Sequence, residues 1–283
     1  MGNGQAIQFL PPIANDLRFT PEMLLEYMDH AGVDRAVLLQ GPFYGDMNEY
    51  VLQAVRRWPQ RLIGAAYLDL WSEHPREDFR RIVDQMGFRV VKLELSESTG
   101  LAGLHPGLRL DDPQLNWFWE ESQQRGIVVI LDLGNAGGKA YQTRSVDRLV
   151  KTYAGLKIVI AHLAQPPLKT PTDKHLDILW QEQVLLARHP TVWLDLASLP
   201  NYAVTAGEDY PYPMARQYLR RALELVGVEK FLWGSDIPGT LLNNTYPQLL
   251  SFLTRHCDFL SRSDMAKIVG ENAMRVYFSM ECP

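Results

Sequence analysis

The feature that most constrains the fold is the alternation of short apolar runs with helical segments along the whole chain. The runs are continuously apolar, which is typical of strands covered on both faces, as in parallel sheets. A weak run at 6–10 precedes strong runs at 35–40, 62–68, 89–95, 127–133, 156–161, 192–196 and from 230 onward. Eight strands that alternate with helices predict an α/β fold, a (β/α)8 TIM barrel, with the first strand degenerate or missing.

A doubly wound open sheet is the alternative architecture. It is disfavoured because no Gly-x-Gly-x-x-Gly sequence follows an early strand. No linker, low-complexity tract or internal repeat divides the 283 residues. We therefore expect one barrel domain over 1–283, since such barrels typically have about 250 residues.

Composition narrows the class of partner. The formal net charge of -5 argues against nucleic acid, which requires a basic surface. No apolar run approaches the ~18 residues of a membrane span, and the N-terminus lacks a basic and apolar leader. Cys257 and Cys282 fit no metal or disulfide pattern. We expect a cytoplasmic protein with a small-molecule substrate, no nucleic-acid or membrane partner, and a homodimer as the common default.

The predicted fourth strand carries two charged residues on one face. Lys92 and Glu94 share the parity of Val90, and in a barrel they would point inward near the carboxyl end. A buried lysine needs a partner, which Glu94 can supply. A structural ion pair and a substrate-binding role for Lys92 both remain open.

Polar residues also end the next predicted strands. Asp132 lies deep in an apolar run, His162 follows Ile160-Ala161, Asp195 interrupts a run, and Asp236 follows the last strand. The carboxyl ends of barrel strands meet at one face, so these side chains can converge. One histidine among several carboxylates suits metal-assisted hydrolysis or general acid–base chemistry. For Asp236 alone, an ordinary turn aspartate before Pro238 is the competing interpretation.

Four segments, in order, resemble the amidohydrolase-2 family of metal-dependent TIM-barrel hydrolases: 32–37, 160–163, 233–238 and 270–273. That family includes lactonases, decarboxylases and a hydratase. The resemblance implies that His162 matches a histidine that polarises the substrate or moves protons. It also implies that Asp236 matches an aspartate that binds metal or activates water.

The sequence departs from the family pattern at two places. The family opens with His-x-His, whereas the first histidine here is His30. The family's strand-five histidine falls at about Asp132. The remaining candidate ligands are Asp236, His162 and Asp132. Such a set favours Mg²⁺ or Mn²⁺ over Zn²⁺, or chemistry without a divalent metal.

Three functions follow from this pattern. The first is hydrolysis of a lactone, ester or amide, with Asp236 as base, His162 on the carbonyl oxygen and Lys92 stabilising negative charge. The second is decarboxylation of a small aromatic or enolic acid, with its carboxylate held by Lys92 or Arg109. The third is a degenerate barrel that binds without catalysis. Substrate contacts are assigned to Glu94, Asp195, His105, Arg109 and Tyr141, with simple packing as the alternative for Tyr141.

Overall fold

The computed structural model describes residues 18–278. Within them, seven parallel strands form one sheet in sequence order. They are β1 (Ala36–Leu38), β2 (Leu62–Tyr67), β3 (Val90–Glu94), β4 (Val128–Asp132), β5 (Lys157–Ile160), β6 (Val192–Asp195) and β7 (Phe231–Leu232). The seven strong predicted strands are confirmed. The weak strand predicted at 6–10 lies outside the described residues.

Helices connect successive strands and cover the outer face of the sheet. Over residues 18–278 they are α1 (Pro21–Ala31), α2 (Asn48–Arg57), α3 (Pro75–Arg80), α4 (Leu101–Leu104), α5 (Asn116–Gln124), α6 (Thr143–Thr152), α7 (Lys174–Leu185), α8 (Leu199–Thr205), α9 (Pro213–Val226), α10 (Tyr246–His256) and α11 (Arg262–Ala266). A π-helical segment, Arg81–Gln85, follows α3. Two more, Lys267–Glu271 and Met274–Phe278, follow α11.

The first helix shows how local sequence sets an element. The Thr20 side chain accepts a hydrogen bond from the backbone N–H of Met23, and Pro21 occupies the first turn. Gly32 ends the helix at a φ of 69°, a left-handed conformation that glycine adopts without steric penalty. The chain then turns directly into β1.

The strand pleat divides the core into two parts. Val91, Leu93 and Leu95 belong to the large cluster between sheet and helices. Val90 and Val128 instead belong to a cluster inside the curled sheet. The inward direction predicted for Val90, Lys92 and Glu94 is therefore confirmed.

The C-terminal segment closes the amino end of the curled sheet. Val276 and Tyr277 join the interior cluster that contains Val90 and Val128, which lie at or near the starts of their strands. Asn272 donates hydrogen bonds from its amide to the carbonyl oxygens of Phe231 (2.8 Å) and Val228 (3.0 Å). The segment thus seals one end of the interior and leaves the carboxyl end for chemistry.

Candidate active site

A layer of ionisable side chains lies at the carboxyl ends of the strands. Lys92, Glu94, Asp132 and Asp195 are each less than a tenth exposed. Glu94 and Asp132 are direct neighbours across the β3–β4 pair. Burying so many charged groups is costly unless they interact with one another. The register of the sheet thus places two of the predicted site residues side by side.

His162 follows β5 and lies at the centre of this layer. Its Nε2 is 3.0 Å from Asp132 Oδ2, and its Nδ1 is 2.9 Å from the carbonyl oxygen of Ala197. A carbonyl oxygen can only accept, so Nδ1 must donate. Nε2 faces a carboxylate and donates as well. His162 is therefore held as a doubly protonated imidazolium.

The electrostatics of the pair agree with this geometry. Burial alone would lower the pKa of His162, but the charge of Asp132 and its hydrogen bond raise that pKa to about 10. Burial alone would raise the pKa of Asp132, but the positive charge of His162 and its hydrogen bond hold that pKa well below the usual range. Asp132 also accepts from the Gln165 side chain at 2.8 Å. The pair is ionised across the neutral pH range.

Lys92 and Glu94 form a looser pair beside it. Lys92 Nζ lies 3.8 Å from Glu94 Oε2. Burial and the neighbouring charge of Asp132 raise the pKa of Glu94 to about 8. For Lys92, burial lowers the pKa, but Glu94 and three aspartates more than offset it and raise the pKa overall. Near pH 7 Glu94 is therefore mostly neutral while Lys92 keeps its charge.

Asp195 organises the backbone around His162. Its Oδ1 accepts from the backbone N–H of His162 (2.9 Å) and from that of Ala197 (3.0 Å). Burial raises the pKa of this carboxyl above its usual value. Both hydrogen bonds are to the main chain, so the geometry gives Asp195 a bracing role between β5 and β6.

Asp236 differs from the other carboxylates because it is exposed. Its Oδ2 accepts a hydrogen bond from the Ser198 hydroxyl. Asp236 and Ser198 both adopt left-handed backbone conformations, with φ of 55° and 62°. Non-glycine residues in this region carry strain that is common at functional sites. Asp236 thus combines a fixed orientation with access to water.

Three residues of the site were not identified from sequence. Ser198 holds Asp236, Gln165 holds Asp132, and Tyr202 of α8 packs edge-on against the His162 ring with centroids 5.8 Å apart. Burial, with Asp132, Asp236, Glu94 and Asp195 nearby, raises the pKa of Tyr202 well above its usual value. Their position in the sequence could have identified two of them, because Gln165 and Ser198 lie shortly after the carboxyl ends of strands that carry site residues.

Three residues that were predicted to contact the substrate have hydrogen-bond partners within the protein. His105 Nε2 lies 2.8 Å from Asp69 Oδ2. Arg109 donates to Asp111 (2.8 Å) and Ser145 (3.2 Å). Tyr141 is buried, and its hydroxyl donates to the Ala164 carbonyl at 2.7 Å. None of the three makes a described hydrogen bond with Lys92, Glu94, Asp132 or Asp236 within residues 18–278.

The arrangement does not fit the predicted metal set of Asp236, His162 and Asp132. Both ring nitrogens of His162 already face oxygen atoms, the Ala197 carbonyl and Asp132 Oδ2, so a metal at Nε2 would have to replace the proton between His162 and Asp132. Lys92 adds a positive charge close enough to interact with Asp132 and Asp236. Across residues 18–278, no three His, Cys, Asp or Glu side chains are grouped so as to hold an ion.

A curled parallel sheet with ionisable residues at its carboxyl ends defines a barrel of the kind that enzymes use. The amidohydrolase family model matches residues 8–278, so the chain belongs to the amidohydrolase family, a family of enzymes. The resemblance found in the sequence is confirmed.

Three proteins are similar to this chain in sequence or in fold. The L-fucono-1,5-lactonase of Burkholderia ambifaria is 25% identical over 266 residues, which cover 92% of this chain and 85% of that one. An amidohydrolase from Burkholderia multivorans, solved with bound zinc, has a TM-score of 0.72, 18% identity and coverage of 92% and 88%. A 2,6-dihydroxybenzoate decarboxylase has a TM-score of 0.68, 16% identity and coverage of 95% and 93%. The two structures establish the shared barrel fold.

The helices offer no candidate for a membrane span: none between residues 18 and 278 combines the necessary length with the necessary apolar character.

Proposed function

We propose that this protein hydrolyses the cyclic ester of a small lactone, with Asp236 activating water and Lys92 stabilising the oxyanion. One observation carries the proposal: the exposed carboxylate of Asp236 is close enough to two buried cations, Lys92 and His162, to help raise their pKa values. A base that reaches water and a fixed positive charge next to it are the two groups that acyl transfer requires. The similarity to a lactonase supports the choice of substrate class.

The nucleophile is a water molecule at Asp236. Ser198 anchors Oδ2 of Asp236, and within residues 18–278 no described hydrogen bond engages Oδ1. Oδ1 removes a proton from water as the water oxygen bonds to the lactone carbonyl carbon. When the ring C–O bond breaks, the same carboxyl returns the proton to the alkoxide. The product is a hydroxy acid, and Asp236 ends as it began.

Lys92 stabilises the negative charge that develops on the carbonyl oxygen. Its ammonium group makes no described hydrogen bond within residues 18–278, so its N–H donors can bind the oxyanion. The raised pKa of Glu94 matters here, because a neutral Glu94 does not pair its charge with that of Lys92. Both ring N–H groups of His162 are engaged in hydrogen bonds, one with Asp132 and one with the Ala197 carbonyl. It therefore acts through its fixed charge, in place of the direct contact with the carbonyl oxygen predicted from sequence.

The proposal includes catalysis without a bound divalent metal, on the grounds of the protonated His162 and the nearby Lys92. Elemental analysis and assays after chelator treatment test this part. Full activity at well below one equivalent of metal is expected. Activity that is lost on chelation and restored by Zn²⁺ or Mn²⁺ would overturn it.

The central experiment is an assay with a panel of sugar 1,5- and 1,4-lactones in ¹⁸O-labelled water. We expect one ¹⁸O atom in the carboxyl group of the acid product, and a loss of at least about 10³-fold in kcat/KM for Asp236→Asn. Asp258→Asn is the matched control, since Asp258 is an exposed surface carboxylate paired with Arg216. Equal losses in both variants would refute the role of Asp236.

Decarboxylation is the second candidate. The buried ammonium of Lys92 could bind a substrate carboxylate, and the decarboxylase with the same fold gives 2,6-dihydroxybenzoate as the test compound. Release of CO₂ from such acids, without lactone hydrolysis, would favour this reaction. Absence of both activities would favour a barrel that only binds.

A further inference from the structure

The segment after β5 has an unusual backbone. His162, Leu163, Ala164 and Gln165 have φ values of 60°, 52°, 55° and 46°. Four consecutive non-glycine residues are thus left-handed, which strains the backbone at four successive positions. We call this segment the left-handed turn. Such strain persists only where surrounding contacts hold it.

The left-handed turn brings two side chains to one carboxylate. His162 Nε2 lies 3.0 Å from Asp132 Oδ2, and Gln165 Nε2 donates to Oδ1 at 2.8 Å. The first and last residues of the turn therefore bind the two oxygens of the same group. A right-handed continuation would point these side chains in other directions and separate them from Asp132.

Two buried aromatic residues bind the middle of this turn. The indole N–H of Trp180, from α7, donates to the Leu163 carbonyl at 2.9 Å. The hydroxyl of Tyr141, from the loop before α6, donates to the Ala164 carbonyl at 2.7 Å. Trp180 is fully buried and Tyr141 nearly so. Consecutive carbonyls of the turn thus receive donors from two separate elements.

We infer that Tyr141 and Trp180 are positioning residues, which hold the left-handed turn so that His162 and Gln165 stay on Asp132. Removing either donor leaves a buried carbonyl unsatisfied, which favours relaxation of the turn. His162 would then lose its fixed orientation in the ionised layer. The catalytic consequence rests on the proposed function, whereas the structural consequence does not.

Two variants test the inference: Tyr141→Phe, which removes one oxygen atom, and Trp180→Phe, which removes the indole donor. Two others serve as matched controls. Tyr212→Phe removes a buried hydroxyl that donates to Asn244 at 2.6 Å, and Trp119→Phe removes a buried indole that donates to Leu110 at 2.8 Å. The controls lose similar hydrogen bonds away from the left-handed turn.

The primary readout is the ¹H–¹⁵N spectrum of the His162 ring N–H groups, assigned with a His162→Gln sample. Both test variants should shift or broaden these signals, and the controls should leave them in place. In the lactone assay, kcat should fall at least about tenfold in the test variants, with KM changed by less than about twofold.

The outcomes separate the two proposals. Unchanged ring signals in both test variants, or equal shifts in the controls, would overturn the positioning role. Shifted ring signals in a protein that hydrolyses no lactone would support the positioning role and refute the proposed function. Melting temperatures of all four variants show whether losses of global stability are comparable.

Discussion

The inside of the curled sheet has two layers that the same strands build with opposite chemistry. The lower layer is apolar and includes Val90 and Ile130. The upper layer is ionisable and includes Lys92 and Asp132, each two residues further along the same strand. The pleat points both layers inward, and only the position along the strand differs. Position along each strand therefore separates residues that hold the fold from residues suited to chemistry.

The two layers should respond to mutation in different ways. Loss of an apolar contact in the lower layer costs stability through the cavity that it leaves. Loss of a charge in the upper layer changes the stabilisation of a transition state. Lower-layer variants should thus lose free energy of unfolding, and upper-layer variants should lose catalytic rate.

Within the two layers, the largest effect is expected for Lys92→Met. The oxyanion loses its nearest cation, so kcat/KM for lactone hydrolysis should fall by about 10²–10³. Lys151→Met is the control, because Lys151 pairs with Asp147 on the surface at 2.6 Å and is exposed. Steady-state kinetics on both purified variants give the comparison. A Lys92 variant with wild-type kcat/KM would show that the upper layer is structural.

The next effect is expected in the lower layer, for Ile130→Ala. Ile130 is 1% exposed, and its truncation should cost about 2–5 kcal/mol of unfolding free energy in urea titrations. The kcat of the folded fraction should stay within about threefold of wild type, since no site residue is removed. Ile178→Ala, at an exposed position on α7, should change stability by less than about 0.5 kcal/mol. A larger effect on rate than on stability at Ile130 would contradict the division into layers.

The third prediction concerns the dependence of stability on pH. Glu94 has a folded-state pKa of about 8, above its ordinary value of 4.5. The folded state therefore holds this proton more tightly, so the stabilising contribution is complete below about pH 4.5 and is lost as pH rises through about 8. Glu94→Gln cannot ionise and should escape this loss.

Urea unfolding at about pH 5 and about pH 9 measures the effect. Wild-type stability should fall between these values by about 1–3 kcal/mol more than that of Glu94→Gln. Glu120→Gln, in α5 on the exposed surface, is the control and should follow the wild-type curve. Parallel curves for wild type and Glu94→Gln would show that Glu94 is already ionised at neutral pH.

The sequence was sufficient to predict which strand residues point inward, but not how the loops at the strand ends are arranged. Strand runs with a period of two placed Lys92 and Glu94 inward because pleating depends only on local geometry. The register of the parallel sheet then placed Asp132 beside Glu94. These inferences needed no information about distant contacts.

The partners of Asp132 and Asp236 were not predictable in the same way. Gln165 and Ser198 reach their carboxylates from left-handed backbone, which nothing in the local sequence requires. Arg109 illustrates a related limit of the sequence. It suits a substrate carboxylate by type, but Asp111 two residues later takes it as a partner. Such choices depend on how loops from different strands pack together.

The smallest effect is expected for a charge pair outside the barrel. Arg220 and Glu224 lie one turn apart on α9 at 3.3 Å, and both side chains are about two-thirds exposed. Water screens such a pair, and holding two long side chains in one geometry costs entropy. Glu224→Gln should therefore change the free energy of unfolding by about 0.5 kcal/mol or less. Urea titrations of wild type and variant at low and at high salt measure it. High salt should remove most of any difference, and a change above about 1 kcal/mol would show that surface charge stabilises this fold more than its exposure allows.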